Sequence, residues 1–350
     1  MTPSDLDLAA LFTGRVALGT AARPALLAAL ECAAAPDLIL KTLRRERLGP
    51  LAHVALDGAV PGPAAALAAA VAADYYAAAR RYVAFAGRLG EVLAAFQAAG
   101  VPVLVLKGMA LAEPLYGNPA LRPMDDIDAL VRRSDVARAR AALEALGYQA
   151  PASFAHEVHH RAASMFARAG RAGGPPARLD LHWDLVDAKS SPVAWRWADG
   201  VWDRARPAAL GEGAMRVLAP TDALLHACVH LAVNHGLQGL VWRLDIAMMA
   251  RAWRDEIDWD SIVRAARAAR LAGIVYAALR CAEATLDAAI PPAVLAHLRP
   301  RTPRARGLER WLMPRFAALR SIPYQDYVVP LLTMDRARDV AALLFRRLAS

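Results

Sequence analysis

The chain lacks most of the features that give a protein an easy assignment. It has three cysteines, Cys32, Cys228 and Cys281, far apart and set in apolar, helix-like stretches. No CxxC pair occurs, so no disulfide framework can be read, and buried thiols in a reducing compartment are expected. Aromatic residues are only 7% of the 350 positions. No window of ~20 residues is both apolar and free of charge, so no membrane-spanning helix is expected. The opening residues, MTPSDLDLAALF, lack a basic stretch followed by a continuous apolar one, which argues against a secretory leader. A cytoplasmic protein of bacterial type is the simplest expectation. No GxSxG, Walker A or GxGxxG fingerprint is present. His226 and His230 stand four apart, but the glutamate of an HExxH metalloprotease helix is missing.

What the chain does have is alanine and positive charge. It is 57% hydrophobic, and much of that is alanine, so the core is biased to helix and thinly supplied with large side chains. The formal charge is +9, with an isoelectric point near 9.9. This balance favours anionic partners such as nucleotides, nucleic acid or acidic peptides. Arginine far outnumbers lysine, which with the alanine reflects coding background as much as function. Nucleic acid is therefore not the favoured partner.

The informative stretch is VPVLVLKGMALAEPLYGNPALRPMDDIDALV, Val101 to Val131. A run of β-formers, Val101 to Leu106, ends at Lys107-Gly108. A helix-compatible segment, Met109 to Tyr116, and a turn-rich one lead to Arg122-Pro123. A second apolar run, Ile127 to Val131, carries Asp126 and Asp128. Aspartate is a poor strand former. Two of them at i, i+2 in a strand share a face, with Cβ atoms about 6–7 Å apart, close enough to converge on one hard cation. A locally unfavourable choice of this kind marks a functional site. Downstream, ARLDLHWDL alternates cleanly, with Asp180, His182 and Asp184 on one face and Leu179, Leu181 and Trp183 on the other.

Around this stretch the pattern is helical. Residues 4 to 58 read as short helices, 64 to 99 as one long helix, and Gly100 as its stop. Ser134 to Leu146 reads as a helix with Ser134 as N-cap and Gly147 as C′ residue. Tyr148 to Phe154 reads as extended. From Thr221, a candidate N-cap, the chain is helical again, through Leu240–Arg254, Trp259–Leu271 and Gly273–Ala288. The fold expected is α+β: a small mixed β-sheet core flanked by N- and C-terminal helical regions. The divisions expected are 1–99 helical, 100–212 catalytic core and 213–350 helical.

Three carboxylates from two strands make a site for Mg²⁺, a hard cation that takes few ligands from protein and the rest from phosphates and water. Two such ions ~4 Å apart clamp both oxygens of an in-line phosphoryl displacement. Gly108 would let backbone N–H groups approach a phosphate at a helix N-terminus, and Lys107 adds a point charge for a triphosphate. Arg122 is either a phosphate ligand or the salt-bridge partner of Asp125. His182 either orients an acceptor or makes a structural hydrogen bond. His156, His159 and His160 have only Glu157 nearby to support a zinc site. His230, His235 and Asp245 read as a buried polar network linking the last helical region to the cleft.

On the residues Leu106-Lys107-Gly108, Tyr116, Arg122, Asp126-Ile127-Asp128-Ala129-Leu130-Val131 and Asp180-Leu181-His182-Trp183, the chain resembles the DNA polymerase β-like nucleotidyltransferase superfamily. Within it, the chain is similar to a bacterial family of uncharacterised nucleotidyltransferases with LKG, DIDLLV and DLHW motifs. The resemblance covers about residues 25 to 290, including His230, His235 and Arg243-Leu244-Asp245. It implies that Asp126, Asp128 and Asp180 bind two Mg²⁺ ions, with Mn²⁺ as the alternative. It also implies that Lys107, Gly108 and Arg122 hold the nucleotide, with His182, His230 and Asp245 as accessory candidates. The reaction implied moves an NMP, AMP from ATP first of all, onto a small-molecule, peptide or protein acceptor and releases pyrophosphate. The superfamily has Gly-Ser at its turn, whereas Met109 follows Gly108 here. That departure motivates a second reading, a catalytically degenerate nucleotide- or partner-binding module. The basic charge motivates a third, an RNA-directed transferase.

Overall fold

Gly100, at φ +62°, ends a long helix and lets the following β-formers enter a sheet at once. The computed structural model describes residues 13–19, 21, 24, 26, 36–56, 64–160, 162–170, 176–185, 197–210, 213–300, 310, 311, 314, 315 and 341. The helical expectation for residues 4–12 and the one for Cys32 lie outside these residues.

Helices α1 (Pro36–Arg45), α2 (Gly49–Leu56) and α3 (Ala64–Ala98) come first. Strand β1 (Val103–Leu106) runs directly into α4 (Lys107–Tyr116), and β2 (Ile127–Val131) leads to α5 (Val136–Ala145). Then follow α6 (Phe154–His160), β3 (Ala163–Arg168), β4 (Ala177–His182), α7 (Trp197–Arg204), and the hairpin of β5 (Arg206–Leu210) and β6 (Gly213–Val217). The remaining helices are α8 (Pro220–Val233), α9 (Leu240–Ala252), α10 (Trp259–Ala268), α11 (Ala272–Leu286) and α12 (Pro292–Leu298). The fold is α+β, with helices on both sides of one six-stranded mixed sheet of order β3-β4-β2-β1-β6-β5. β1 is antiparallel to β2 and parallel to β6; β2 is parallel to β4.

Because side chains alternate along each strand, the register sorts the sheet into two faces. Leu104 and Leu106 of β1 and Leu130 of β2 pack into one apolar cluster with α8, α9 and α11. Val105, Ile127, Val131, Leu179 and Leu181 pack into a second cluster with Phe85, Leu89, Val92 and Phe96 of α3 and Leu143 of α5. Each such buried side chain contributes about 1.5–3 kcal/mol. The first face also carries Asp128, opposite Asp180 and Leu106 in register, and His182, opposite Leu130.

Several local expectations are corrected. Asp126 lies one residue before β2, in a bend rather than in the ladder, and Asp184 lies beyond β4. Ser134 sits in a 3₁₀ turn (Arg133–Asp135) and caps nothing, although Gly147 has the expected positive φ of +85°. Tyr148 to Phe154 contributes one isolated bridge, Gln149 to Ala167, before α6 begins. Helix α8 starts on Pro220, whose missing N–H costs nothing at that position; Thr221 Oγ1 accepts from the Asp258 N–H at 2.9 Å instead of capping. The β5–β6 hairpin was not expected, and it carries the sheet to Val217.

One buried ion pair ties α9 to the loop before β2. Arg122 Nε donates to Asp245 Oδ1 at 2.8 Å and Nη2 donates to Oδ2 at 2.7 Å, with both side chains 5% exposed. Tyr116 Oη donates to the same carboxylate at 2.7 Å. Neither charge has access to bulk water, so each depends on the other. Asp245→Ala is expected to lower the unfolding free energy by about 3–5 kcal/mol, since it strands a buried guanidinium. Urea denaturation followed by circular dichroism measures this, and a loss under 1 kcal/mol would contradict the pairing.

Candidate active site

β1 and β2 run antiparallel and β2 and β4 parallel, so the end of β1 meets the start of β2 and the middle of β4. That is where Lys107, Asp128, Asp180 and His182 converge. Asp128 and Asp180 face each other across neighbouring strands, and ligand atoms of Asp128, Asp180 and His182 all lie within 4.8 Å of one another. Lys107 Nζ donates to Asp128 Oδ1 at 2.7 Å. His182 Nε2 is 3.1 Å from Asp128 Oδ1 and 3.0 Å from Asp180 Oδ2, a single N–H shared by two carboxylates. Lys107 Nζ and His182 Nε2 are 3.5 Å apart.

The protonation states follow from this packing. Burial opposes the charge on Asp128, yet Lys107 and His182 outweigh it and hold the carboxyl well below its usual range. Asp180 is half-buried, and its partial desolvation is outweighed by His182, which holds it below its ordinary value. Burial works against the His182 imidazolium too, but Asp180 and Asp128 win and raise it to about 9. Burial depresses Lys107, and Asp128, Asp180 and Asp126 more than restore it, leaving the ammonium above its ordinary value. Asp126 has no cation on its own carboxylate. Burial, with the charge of Asp128, lifts it to about 6.

Lys107 is one of only three lysines in the chain, among 42 basic residues. A compact ammonium fits between carboxylates where arginine's planar fork does not. It is held at φ +49°, a left-handed conformation at the strand-to-helix junction that non-glycine residues adopt mainly where the surroundings enforce it. Gly108 has a packing reason to be glycine: a Cβ there would sit 3.1 Å from Met124 Cβ.

The other expected residues are placed as follows. Arg122 bonds neither Asp125 nor open solvent. Nε and Nη2 hold Asp245, and Nη1 donates to the Pro123 carbonyl at 2.7 Å. Asp125 is held outside by Arg47 and Arg81. Asp245 is therefore tied to Arg122 and Tyr116 rather than to the histidines. His230 and His235 do meet, Nε2 to Nε2 at 3.0 Å, and His235 stacks on Trp242 with ring centroids 3.4 Å apart. Gly239, at φ +88°, permits that arrangement, since a Cβ would fall 2.0 Å from the Trp242 ring. His226 and His230 of α8 reach the cleft; sequence reasoning placed His226 only on a helix face. A cavity of about 330 Å³ is lined by Lys107, Asp180, His182, His226 and His230. His156 lies on α6, and the side chains of His159 and His160 lie outside the described residues.

This is a buried carboxylate pair flanked by cations at the head of a helix. A family model described as an uncharacterised nucleotidyltransferase matches residues 33–287. The chain belongs to that nucleotidyltransferase family. It is thus a nucleotidyl-transferring enzyme, and the family implies a nucleoside triphosphate as substrate. No curated protein matches the chain. Among the described residues no helix is long and apolar enough to cross a membrane.

The histidines of α8 carry a pH prediction for this nucleotidyltransferase. Burial, then the charge of Lys107, pushes His226 down to about 3, and burial also holds His230 well below its ordinary value. Between about 6.5 and 3 the unfolded chain binds protons that the native state refuses. The contribution of these two histidines is therefore complete above about pH 6.5 and falls as the pH drops toward 3, by about 1.4 kcal/mol per pH unit for His226 alone. His226→Gln is expected to flatten the slope of unfolding free energy against pH between 6 and 4.5, measured by denaturant titration. An unchanged slope would place the proton uptake elsewhere.

Proposed function

We propose that the chain transfers a nucleoside monophosphate, AMP from ATP first of all, onto an acceptor hydroxyl, amine or phosphate and releases pyrophosphate. The observation that carries this reading is the pairing of Asp128 with Asp180 across parallel strands, next to a lysine at the start of a helix. Two carboxylates converging within one ion's reach suit Mg²⁺, which prefers oxygen donors, and Mn²⁺ less specifically. Asp128 and Asp180 would hold the metal, with Asp126 completing the set from the bend before β2. An imidazole suits such ions poorly, so His182 serves as counter-charge and orienting donor. When bound, the metal supplies positive charge against the phosphate oxygens of the in-line displacement.

The chain's own residues do the rest. Lys107 turns from Asp128 toward the β- and γ-phosphates and places a point charge there. The first turn of α4 presents free N–H groups and the positive end of its dipole to the same anion. Met109 brings no hydroxyl to this turn, and Lys107 takes over that contact. Asp180 accepts the proton as the acceptor oxygen or nitrogen bonds to the α-phosphorus. The bond to pyrophosphate breaks, and its electron pair leaves with pyrophosphate. Arg122 acts at one remove, holding the loop before Asp126 through Asp245.

The described arginines are dispersed in surface ion pairs such as Arg44 with Asp74, Arg140 with Glu144 and Arg168 with Glu91. This dispersal gives an RNA-directed reading no groove to rest on. The degenerate-module reading differs in one measurable respect, because it binds nucleotide without turnover.

Calorimetric titration with an ATP analogue blocked at the α–β bridge, with and without Mg²⁺, tests the site. Metal-dependent binding is expected, reduced at least tenfold by Asp128→Asn and by Asp180→Asn, with both variants folded by circular dichroism. Equal binding without metal, or full binding by both variants, would overturn the assignment.

A further inference from the structure

A second cavity, of about 490 Å³, adjoins the carboxylate cleft. Lys107, His226 and His230 line both cavities and form the wall they share. Beyond that wall the chemistry changes. Val105, Leu106 and Val217 come from the sheet, Leu111 from α4, and Ala223 and Ala227 from one face of α8, where they stand four apart. The charged side chains that line it are Lys107 on the shared wall, the Arg122–Asp245 pair, and Glu113 and Arg206, which are already held by Tyr82 and Glu256. The volume suits a small-molecule site, and an apolar wall with a few convergent polar groups is the usual build of one.

Two observations narrow the occupant. A triphosphate cannot enter an aliphatic cavity without losing its hydration, so the charged part of the donor stays in the cleft with Lys107 and His182. The tryptophans bordering the cavity already have partners from the chain itself: His235 is stacked on Trp242, and the Arg206 guanidinium lies over Trp253 at 5.4 Å. The apolar remainder of the wall is alanine, valine, leucine and proline, which offer aliphatic carbon rather than a ring face for a nucleobase. A two-substrate transferase needs two pockets that meet at the reacting atoms, and here the second of them is aliphatic.

We propose that this cavity holds the aliphatic body of an amphiphilic small-molecule acceptor, whose hydroxyl, amine or phosphate reaches the carboxylates past Lys107. The proposal rests on the nucleotidyl-transfer reading and names the acceptor's class.

The test uses the full chain and a probe series, 1-butanol to 1-octanol, titrated calorimetrically with and without saturating Mg²⁺ and the blocked ATP analogue. Affinity is expected to rise about fourfold per methylene as the cavity fills. It is also expected to be the same with the analogue bound, since acceptor and donor must coexist. Ala227→Phe and, as a milder filling, Ala223→Leu are expected to weaken octanol at least tenfold and leave analogue binding unchanged. Octanol no tighter than butanol, or octanol binding unaltered in both variants, would overturn the proposal. So would mutual exclusion of octanol and analogue, which assigns the cavity to the donor's base. Should the analogue fail to bind the wild type while the alkanol series behaves as expected, the nucleotidyl-transfer reading fails and the apolar site stands.

Discussion

Everything around the cleft answers to one constraint: carboxylates cannot be crowded on a buried sheet face without positive charge beside them. Asp128 and Asp180 lie opposite each other on adjacent strands, beneath helices that exclude most water. Unrelieved, such a pair would take up a proton. Lys107 and His182 supply the relief, each within about 3 Å of a carboxylate oxygen. Asp126, a residue outside the ladder and without a cation of its own, shows what happens otherwise, with its carboxyl lifted to about 6. The same balance dictates the neighbours. Once Lys107 and His182 are cationic, a further charge on α8 would be repelled as well as desolvated, and His226 and His230 are neutral for both reasons.

The two faces of the sheet divide the labour. One is packed by α3 and α5 and is wholly apolar along β1, β2 and β4. The other sets Leu104, Leu106 and Leu130 beside the charged cluster of Asp128, Asp180 and His182, under α8 and α9. A single-residue slip between β2 and β4 would turn Asp180 and His182 into the α3 core and put Leu179 and Leu181 over the cleft. The alternation that places the charges is therefore also what makes the register unambiguous.

This logic explains which parts were legible in the sequence. Lys107-Gly108, Asp128, Asp180 and His182 each interrupt or end an apolar run, and period-two alternation assigns them a face without any tertiary knowledge. The helices were legible from spacing, and α10 begins at Trp259 as expected, with Asp258 as its cap; α8 instead begins at Pro220, where the side-chain pattern pointed to Thr221. The β5–β6 hairpin was not legible because Arg-Pro-Ala-Ala-Leu and Gly-Ala-Met-Arg-Val hold few β-formers. Its strands exist because β1 offers an edge, and Pro207 is tolerated because β5 is the outer strand. The partner of Arg122 was not legible either, since Asp245 lies 123 residues away and no local rule connects them. The cavity beside the cleft has no sequence signature at all. Its apolar wall is mostly ordinary alanine, valine and leucine, and only their arrangement leaves space.

The Arg122–Asp245 pair also bears on how such a chain can change over time. A sheet that carries its own reactive groups looks like a part that could be recombined freely with other helical partners. Here the loop leading into β2 holds a guanidinium that α9 neutralises, and α9 holds a carboxylate whose charge this guanidinium meets, with Tyr116 of α4 donating beside it. Separating the two segments leaves an orphan charge on each side, and a replacement helix must arrive with a carboxylate already at the right height. Exchange of the helical half is thus gated by a single electrostatic key, and drift at either position is survivable only when both change together.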